Sequence, residues 1–185
     1  MKLIIAFIIV LASGTAQAQE IVNFTLPNAR DGKEVSLSDF ASTRVIVVVF
    51  TSHECPFDNY YKDRIKELIR AYSGKVQFIL INPNLEEQES AEQMAIHYTD
   101  LSVPYLADKK QVVMTNFSAK KTPEAFLLTA SGGKFNVLYH GAIDDNPQAS
   151  QDVRQSFLKD AVDKVLSGQK IDMPAQRATG CTIRK

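Results

Sequence analysis

Residues Val45–Thr51 (VIVVVFT) form an unbroken apolar run rich in β-branched side chains. Such a run predicts a strand buried on both faces, as in the middle of a parallel sheet. Lys75–Asn82 (KVQFILIN) predicts a second buried strand. Between them the period changes: Tyr61, Ile65, Leu68, Ile69 and Tyr72 recur at three- and four-residue spacing and predict a helix over Pro56–Tyr72, ended by Gly74. Upstream, Phe24–Phe40 alternates around Asp31-Gly32, a hairpin signal. Downstream, Glu86–Tyr98 reads as a polar helix with Met94, Ala95 and Tyr98 inward, Val103–Asp108 as a short strand and turn, and Val112–Phe117 as a short helix. Glu124–Thr129 and Lys134–His140 read as an antiparallel hairpin across Ser131-Gly132-Gly133. Asp152–Ser167 reads as a last helix with Val153, Phe157, Ala161, Val162 and Val165 on one face, and Gly168–Lys185 as an irregular tail. This order predicts an α/β fold: a central mixed β-sheet flanked by helices, preceded by an N-terminal β-hairpin.

The first residues follow a different pattern. Lys2 precedes the apolar run Leu3–Ala12, and Ala16-Gln17-Ala18 matches a small-x-small cleavage site. Residues 1–18 are therefore expected to be a signal peptide, leaving 19–185 as a single domain with 168–185 as its C-terminal tail. The run is about half of the ~20 residues that a membrane span needs, so no stable membrane insertion is expected after cleavage. No cysteine stands directly after it to carry a lipid. Export implies a periplasmic or extracellular location, where disulfides persist. Basic and acidic residues balance at 21 each and alternate along the chain. Nucleic-acid binders cluster their basic residues, so no nucleic-acid partner is expected.

The chain has two cysteines, Cys55 and Cys181. Cys55 follows the predicted strand and is followed at once by Pro56, which suits the first helical position because its missing N–H costs nothing there. Cys55 is thereby placed at a helix N-terminus, where unpaired N–H groups and the macrodipole favour thiolate over thiol. The competing reading is a small buried hydrophobe, common for free cysteine. His53, which titrates near neutrality, could tune the thiol or join it as a metal ligand. His97 and His140 show no evident convergence with it, and no metal site and no cofactor are expected. Glu54 reads as a solvated turn residue, Tyr61 as core, Phe57 as core or groove, and Asp144-Asp145 as a turn before the last helix.

The element order, with a cysteine at the strand-to-helix turn, resembles the thioredoxin fold. More narrowly the chain is similar to the peroxiredoxin-like branch of the alkyl hydroperoxide reductase and thiol-specific antioxidant (redoxin) family. The resemblance is carried by FTLPNARDGKEVSLSDF, VVVFTSHECP, TPEAF (122–126), HGAIDD (140–145) and GCTI (180–183), and it covers Phe24–Lys185. It implies that Thr122-Pro123 forms the cis-proline turn beside the reactive cysteine, presenting Thr122 backbone to a substrate peptide or to the sulfur. The chain also departs from the family. Asp58 stands where thioredoxins carry their second cysteine, so no local disulfide is possible, and its carboxylate would oppose thiolate formation. Ser52 matches the peroxiredoxin hydroxyl position, but Val48 replaces the proline, and no peroxide-orienting arginine is recognisable by motif.

With the leader pattern, the resemblance implies a thiol redox enzyme that is exported, an oxidoreductase with Cys55 as nucleophile, acting on a disulfide or peroxide substrate and recharged by an external thiol reductant. Cys181 is a candidate resolving thiol; an unpaired tail thiol is the alternative. Catalytic candidates are Cys55, Cys181, Thr122 and Pro123. Lys121 could bring positive charge near Cys55 or simply be solvated. The runner-up is a non-catalytic thioredoxin-fold module that binds a peptide or metal ion.

Overall fold

The computed structural model describes residues 19–184; the expected signal peptide lies outside them. The chain opens with strand β1 (Glu20–Ile21) and the hairpin β2 (Thr25–Pro27) and β3 (Glu34–Ser36). It continues through β4 (Val45–Phe50), α1 (Pro56–Ala71), β5 (Gln77–Asn82), α2 (Ala91–Ala95), β6 (Tyr105–Ala107) and α3 (Val112–Phe117). It ends with β7 (Lys121–Thr122), β8 (Glu124–Ser131), β9 (Lys134–Gly141), α4 (Phe157–Leu166) and β10 (Cys181–Thr182). Six strands form the central sheet in the order β1-β9-β8-β4-β5-β6. This is the thioredoxin-like α/β architecture, with β2–β3 as a separate hairpin and β10–β7 as a separate pair.

All six residues of β4 are buried. Because successive side chains of a strand point to opposite faces, β4 feeds two cores. Val45, Val47 and Val49 pack with Tyr61, Ile65 and Ile69 of α1 and Leu158, Ala161 and Val162 of α4. Ile46, Val48 and Phe50 belong to the opposite cluster with Leu37, Val113 and Phe117. Burying an aliphatic side chain of this size contributes roughly 1.5–3 kcal/mol, so β4 is fixed in register and its C-terminal end is a rigid platform for the turn that carries Cys55.

Several elements differ from the sequence reading. β4 runs parallel to β5 but antiparallel to β8, so the apolar run marks burial on both faces rather than two parallel neighbours. The Glu86–Tyr98 helix is broken into a 3-10 turn at Glu87–Glu89 and the short α2. Ser90 between them is extended and caps Gln93 N–H, while the Glu89 side chain turns inward. The last helix begins at Phe157 rather than Asp152: residues 150–152 form a 3-10 turn and Val153 is extended. β1 and β7, each of two residues, are too short for a periodic signal. The tail is not irregular at its end, because β10 pairs antiparallel with β7, Cys181 opposite Thr122.

Candidate active site at the head of the first helix

Cys55 is the N-cap of α1, with extended backbone, and Pro56 holds the first helical position. It is bonded to Cys181, with Cα atoms 6.0 Å apart, inside the range that a disulfide spans. The two cysteines are 126 positions apart. Bonded, Cys55 is buried at the helix N-terminus where the sequence placed it. Its sulfur lies 3.4 Å from the Thr122 carbonyl oxygen. The Thr122–Pro123 peptide is cis. Cys55, Cys181, Thr122 and Pro123 therefore converge, although no two of the three segments that carry them adjoin in sequence.

Backbone pairing seats the tail. Beyond the β10–β7 ladder, Ile183 N–H donates to the Lys120 carbonyl at 3.0 Å and its side chain is buried in the cluster of Phe50 and Phe117. Lys121 Nζ donates to Thr182 Oγ1 at 2.9 Å, so this lysine is engaged by the tail. Gly180 packs against the same ladder: a Cβ there would collide with the Thr122 carbonyl. Farther back, Ala142 N–H donates to the Gln176 carbonyl at 2.9 Å. The tail is thus pinned on both sides of Gly180. An open cleft of about 510 Å³ lies over the disulfide, lined in part by Glu54, Glu86 and Arg184.

Beneath the turn sits a carboxylate that sequence reasoning missed. Glu89 is buried and accepts hydrogen bonds from the Ser52 hydroxyl, His53 N–H (3.3 Å), Glu54 N–H (3.2 Å) and Asn82 Nδ2 (2.7 Å). Ser52 Oγ in turn accepts from Cys55 N–H at 3.0 Å. His53 Nδ1 lies 2.9 Å from Glu89 Oε2 but off the axis of a hydrogen bond, and Nε2 meets the Gln88 carbonyl at 2.5 Å. The His53 and His97 rings stack with centroids 4.2 Å apart, so these histidines do converge, contrary to the sequence reading; His140 stacks instead on Phe126. Burial holds His97 toward its neutral form. Among the described residues, no group of three or more His, Cys, Asp or Glu side chains is arranged to hold a metal ion.

Asp58, on the first turn of α1, is buried and neither carboxylate oxygen has a hydrogen-bond partner. Burial pushes its carboxyl well above the ordinary range; the nearby Ser52 backbone and Thr122 side chain offset only part of this. The repulsion of thiolate expected from Asp58 is therefore weakened, because burial favours the uncharged acid. Glu54 is exposed and Tyr61 is core, its hydroxyl donating to Asp144 at 2.8 Å. Phe57 is half-buried and meets exposed Tyr60 edge-on. Asp144 and Asp145 form the expected turn, with Asp144 also paired to Arg64 at 2.6 Å.

The sequence profile of the AhpC/TSA family matches residues 18–162. The chain belongs to the AhpC/TSA family. This AhpC/TSA chain is an oxidoreductase whose two cysteines form a disulfide. It is similar to the crystal structure of a hypothetical protein of Sinorhizobium meliloti 1021, at 28% identity over 92% of this chain and 95% of that one, with a TM-score of 0.82. An uncharacterized conserved protein of Geobacillus kaustophilus gives 27% identity over 91% of each chain and the same TM-score of 0.82. A protein assigned as the thiol:disulfide interchange protein DsbE of Chlorobium tepidum shares the fold at 17% identity, 80% of this chain and 96% of that one, with a TM-score of 0.62. No curated protein matches the chain.

Proposed function

We propose that this AhpC/TSA protein is an exported thiol–disulfide oxidoreductase with Cys55 as nucleophile and Cys181 as resolving thiol. The observation that carries this reading is the Cys55–Cys181 disulfide at the N-terminus of α1, against the Thr122–Pro123 turn. In the reduced protein the Cys55 thiolate attacks one sulfur of a substrate disulfide; the substrate bond breaks and its other sulfur leaves as thiolate. Cys181 then attacks the Cys55 sulfur, releasing the second substrate thiolate and closing the internal bond. An external thiol reductant returns both cysteines to thiols. Thr122 holds the reacting segment through its backbone, and Pro123 fixes that turn.

Peroxide reduction would end in the same disulfide through a Cys55 sulfenic acid. Disulfide exchange is favoured because the Ser52 hydroxyl is already committed to Glu89 and to Cys55 N–H, and because Val48 lies inside β4, where a shielding proline would be needed. Export rests on the leader pattern of residues 1–18 and agrees with a site built around a disulfide.

The test is alkylation of reduced Cys181→Ser protein across pH, together with its rates toward oxidised glutathione and hydrogen peroxide. A midpoint below about 8.5 and faster reaction with glutathione disulfide are expected. A midpoint at or above that value with no turnover would leave a binding module, and preference for peroxide would leave a peroxidase.

A further inference from the structure

The tail occupies its groove as an extended, cysteine-bearing segment that is disulfide-bonded to Cys55 and paired antiparallel with Thr122. That is the geometry a partner's cysteine segment would take in a mixed disulfide at this site. Three features of the groove are selective. The residue before the cysteine faces the Thr122 carbonyl so closely that only glycine fits. The residue two positions after it points to the same side of the strand as the cysteine and enters a buried apolar slot, filled by Ile183. The residue between, Thr182, is exposed and unconstrained in size.

Resting on the thiol-exchange reading above, we propose that residues 180–183 are an internal stand-in for the partner, and that the groove selects extended protein segments of the form Gly-Cys-x-aliphatic. When the disulfide is reduced, β10 is held by a short backbone ladder to residues 120–122, the Lys121–Thr182 hydrogen bond and one apolar side chain, so a matching segment adds to the β7 edge in its place. Cys55 attacks the cysteine sulfur of that segment, and the segment's former sulfur partner leaves as thiolate. The tail stays tethered through Gln176, five residues before Cys181. Its high effective concentration returns Cys181 to the groove. There it attacks the Cys55 sulfur, and the segment leaves with its cysteine as thiolate. One groove thus serves docking and release in turn, and the tail competes with the substrate it resembles.

The experiment uses full-length Cys181→Ser protein, reduced, and peptides copying Ala178–Lys185 whose cysteine carries thionitrobenzoate, a leaving group that absorbs light. Three peptides are compared: the native copy, one with aspartate at the position of Ile183, and one with valine at the position of Gly180. The native copy is expected to react at least tenfold faster than either variant. Adding Ile183→Ala to the protein, which loosens its own tail, is expected to speed the native copy at least threefold. A small aromatic disulfide serves as control. If it reacts while the three peptides agree within twofold, the groove does not select and the proposal is overturned with the thiol reading intact. If the control is also inert, the thiol reading fails and the proposal falls with it.

Discussion

Ser52 and Glu89 are bonded beneath the turn that carries Cys55: the serine hydroxyl donates to the buried carboxylate and accepts from Cys55 N–H. Glu89 also holds two further N–H groups of residues 53–54 and the Asn82 amide. Glu89→Ala would orphan these donors, each at about 1–3 kcal/mol when left unpaired and buried. Its denaturation midpoint should fall by the equivalent of at least about 2 kcal/mol, measured oxidised so that the disulfide is unchanged. An unaltered midpoint would mean that water replaces the carboxylate without loss.

Asp58 gives a pH signature. Its folded carboxyl titrates above the unfolded value of about 3.9, so the folded state binds its proton more tightly. Stability from this group is complete below the unfolded value and is lost as pH rises toward and through the folded value. Asp58→Asn cannot ionise. The variant should gain on the native protein as pH rises from 4 toward 8, and the gain should shrink toward pH 4. Parallel urea titrations at several pH values read this directly; a pH-independent difference would contradict burial as the cause.

The disulfide joins cysteines 126 positions apart. A cross-link of that span contributes about 2–4 kcal/mol by restricting the unfolded chain. Oxidised protein should unfold at correspondingly higher denaturant than Cys181→Ser, and dithiothreitol should lower the native protein alone. Equal midpoints with and without reductant would show that the tail adds nothing to the fold.

Gly180→Ala places a methyl group against the Thr122 carbonyl. The disulfide should form less readily, shifting its equilibrium with glutathione by about tenfold, or ~1.4 kcal/mol, toward the dithiol. Thiol quantitation at fixed glutathione ratios measures it. No shift would mean that the ladder is not needed for pairing.

Export has its own check. Protein recovered outside the cytoplasm should begin at Gln19 on N-terminal sequencing; an intact Met1 there would point to an uncleaved anchor.

Much of the fold was legible because long apolar periods dominate it. The run at 45–51, the helix from Pro56 and the hairpin around Gly132-Gly133 are local patterns with strong physical causes. The residues that converge at the candidate site were legible where one residue type has few uses: a cysteine before a helix-opening proline, and Thr122-Pro123 through the family resemblance. Glu89 was not, since an acidic residue in a polar stretch reads as solvated until tertiary structure supplies the donors around it. The seat of the tail was equally hidden. Two residues of strand carry no period, and the element that aligns Cys181 with Cys55 is a ladder to Lys121–Thr122, about sixty positions away in sequence.

The placement of the disulfide also decides how the folded chain would bear tension. Residues 56–180 hang within a covalent ring, so a pull on the two ends of the oxidised protein bypasses them. The load path enters through β1 and the β2–β3 hairpin, runs along β4, crosses the sulfur bridge and leaves through the last few residues. β4 is hydrogen-bonded on both flanks, to β5 and β8, and would be sheared against both at once rather than peeled from an edge. Reduction moves the exit point past α4 and into the tail, where β10 can unzip from β7 one pair at a time. Once β1 has peeled from β9 at the sheet edge, the redox state of one bond therefore sets whether the C-terminal pull bears on the centre of the sheet or on the tail at its margin.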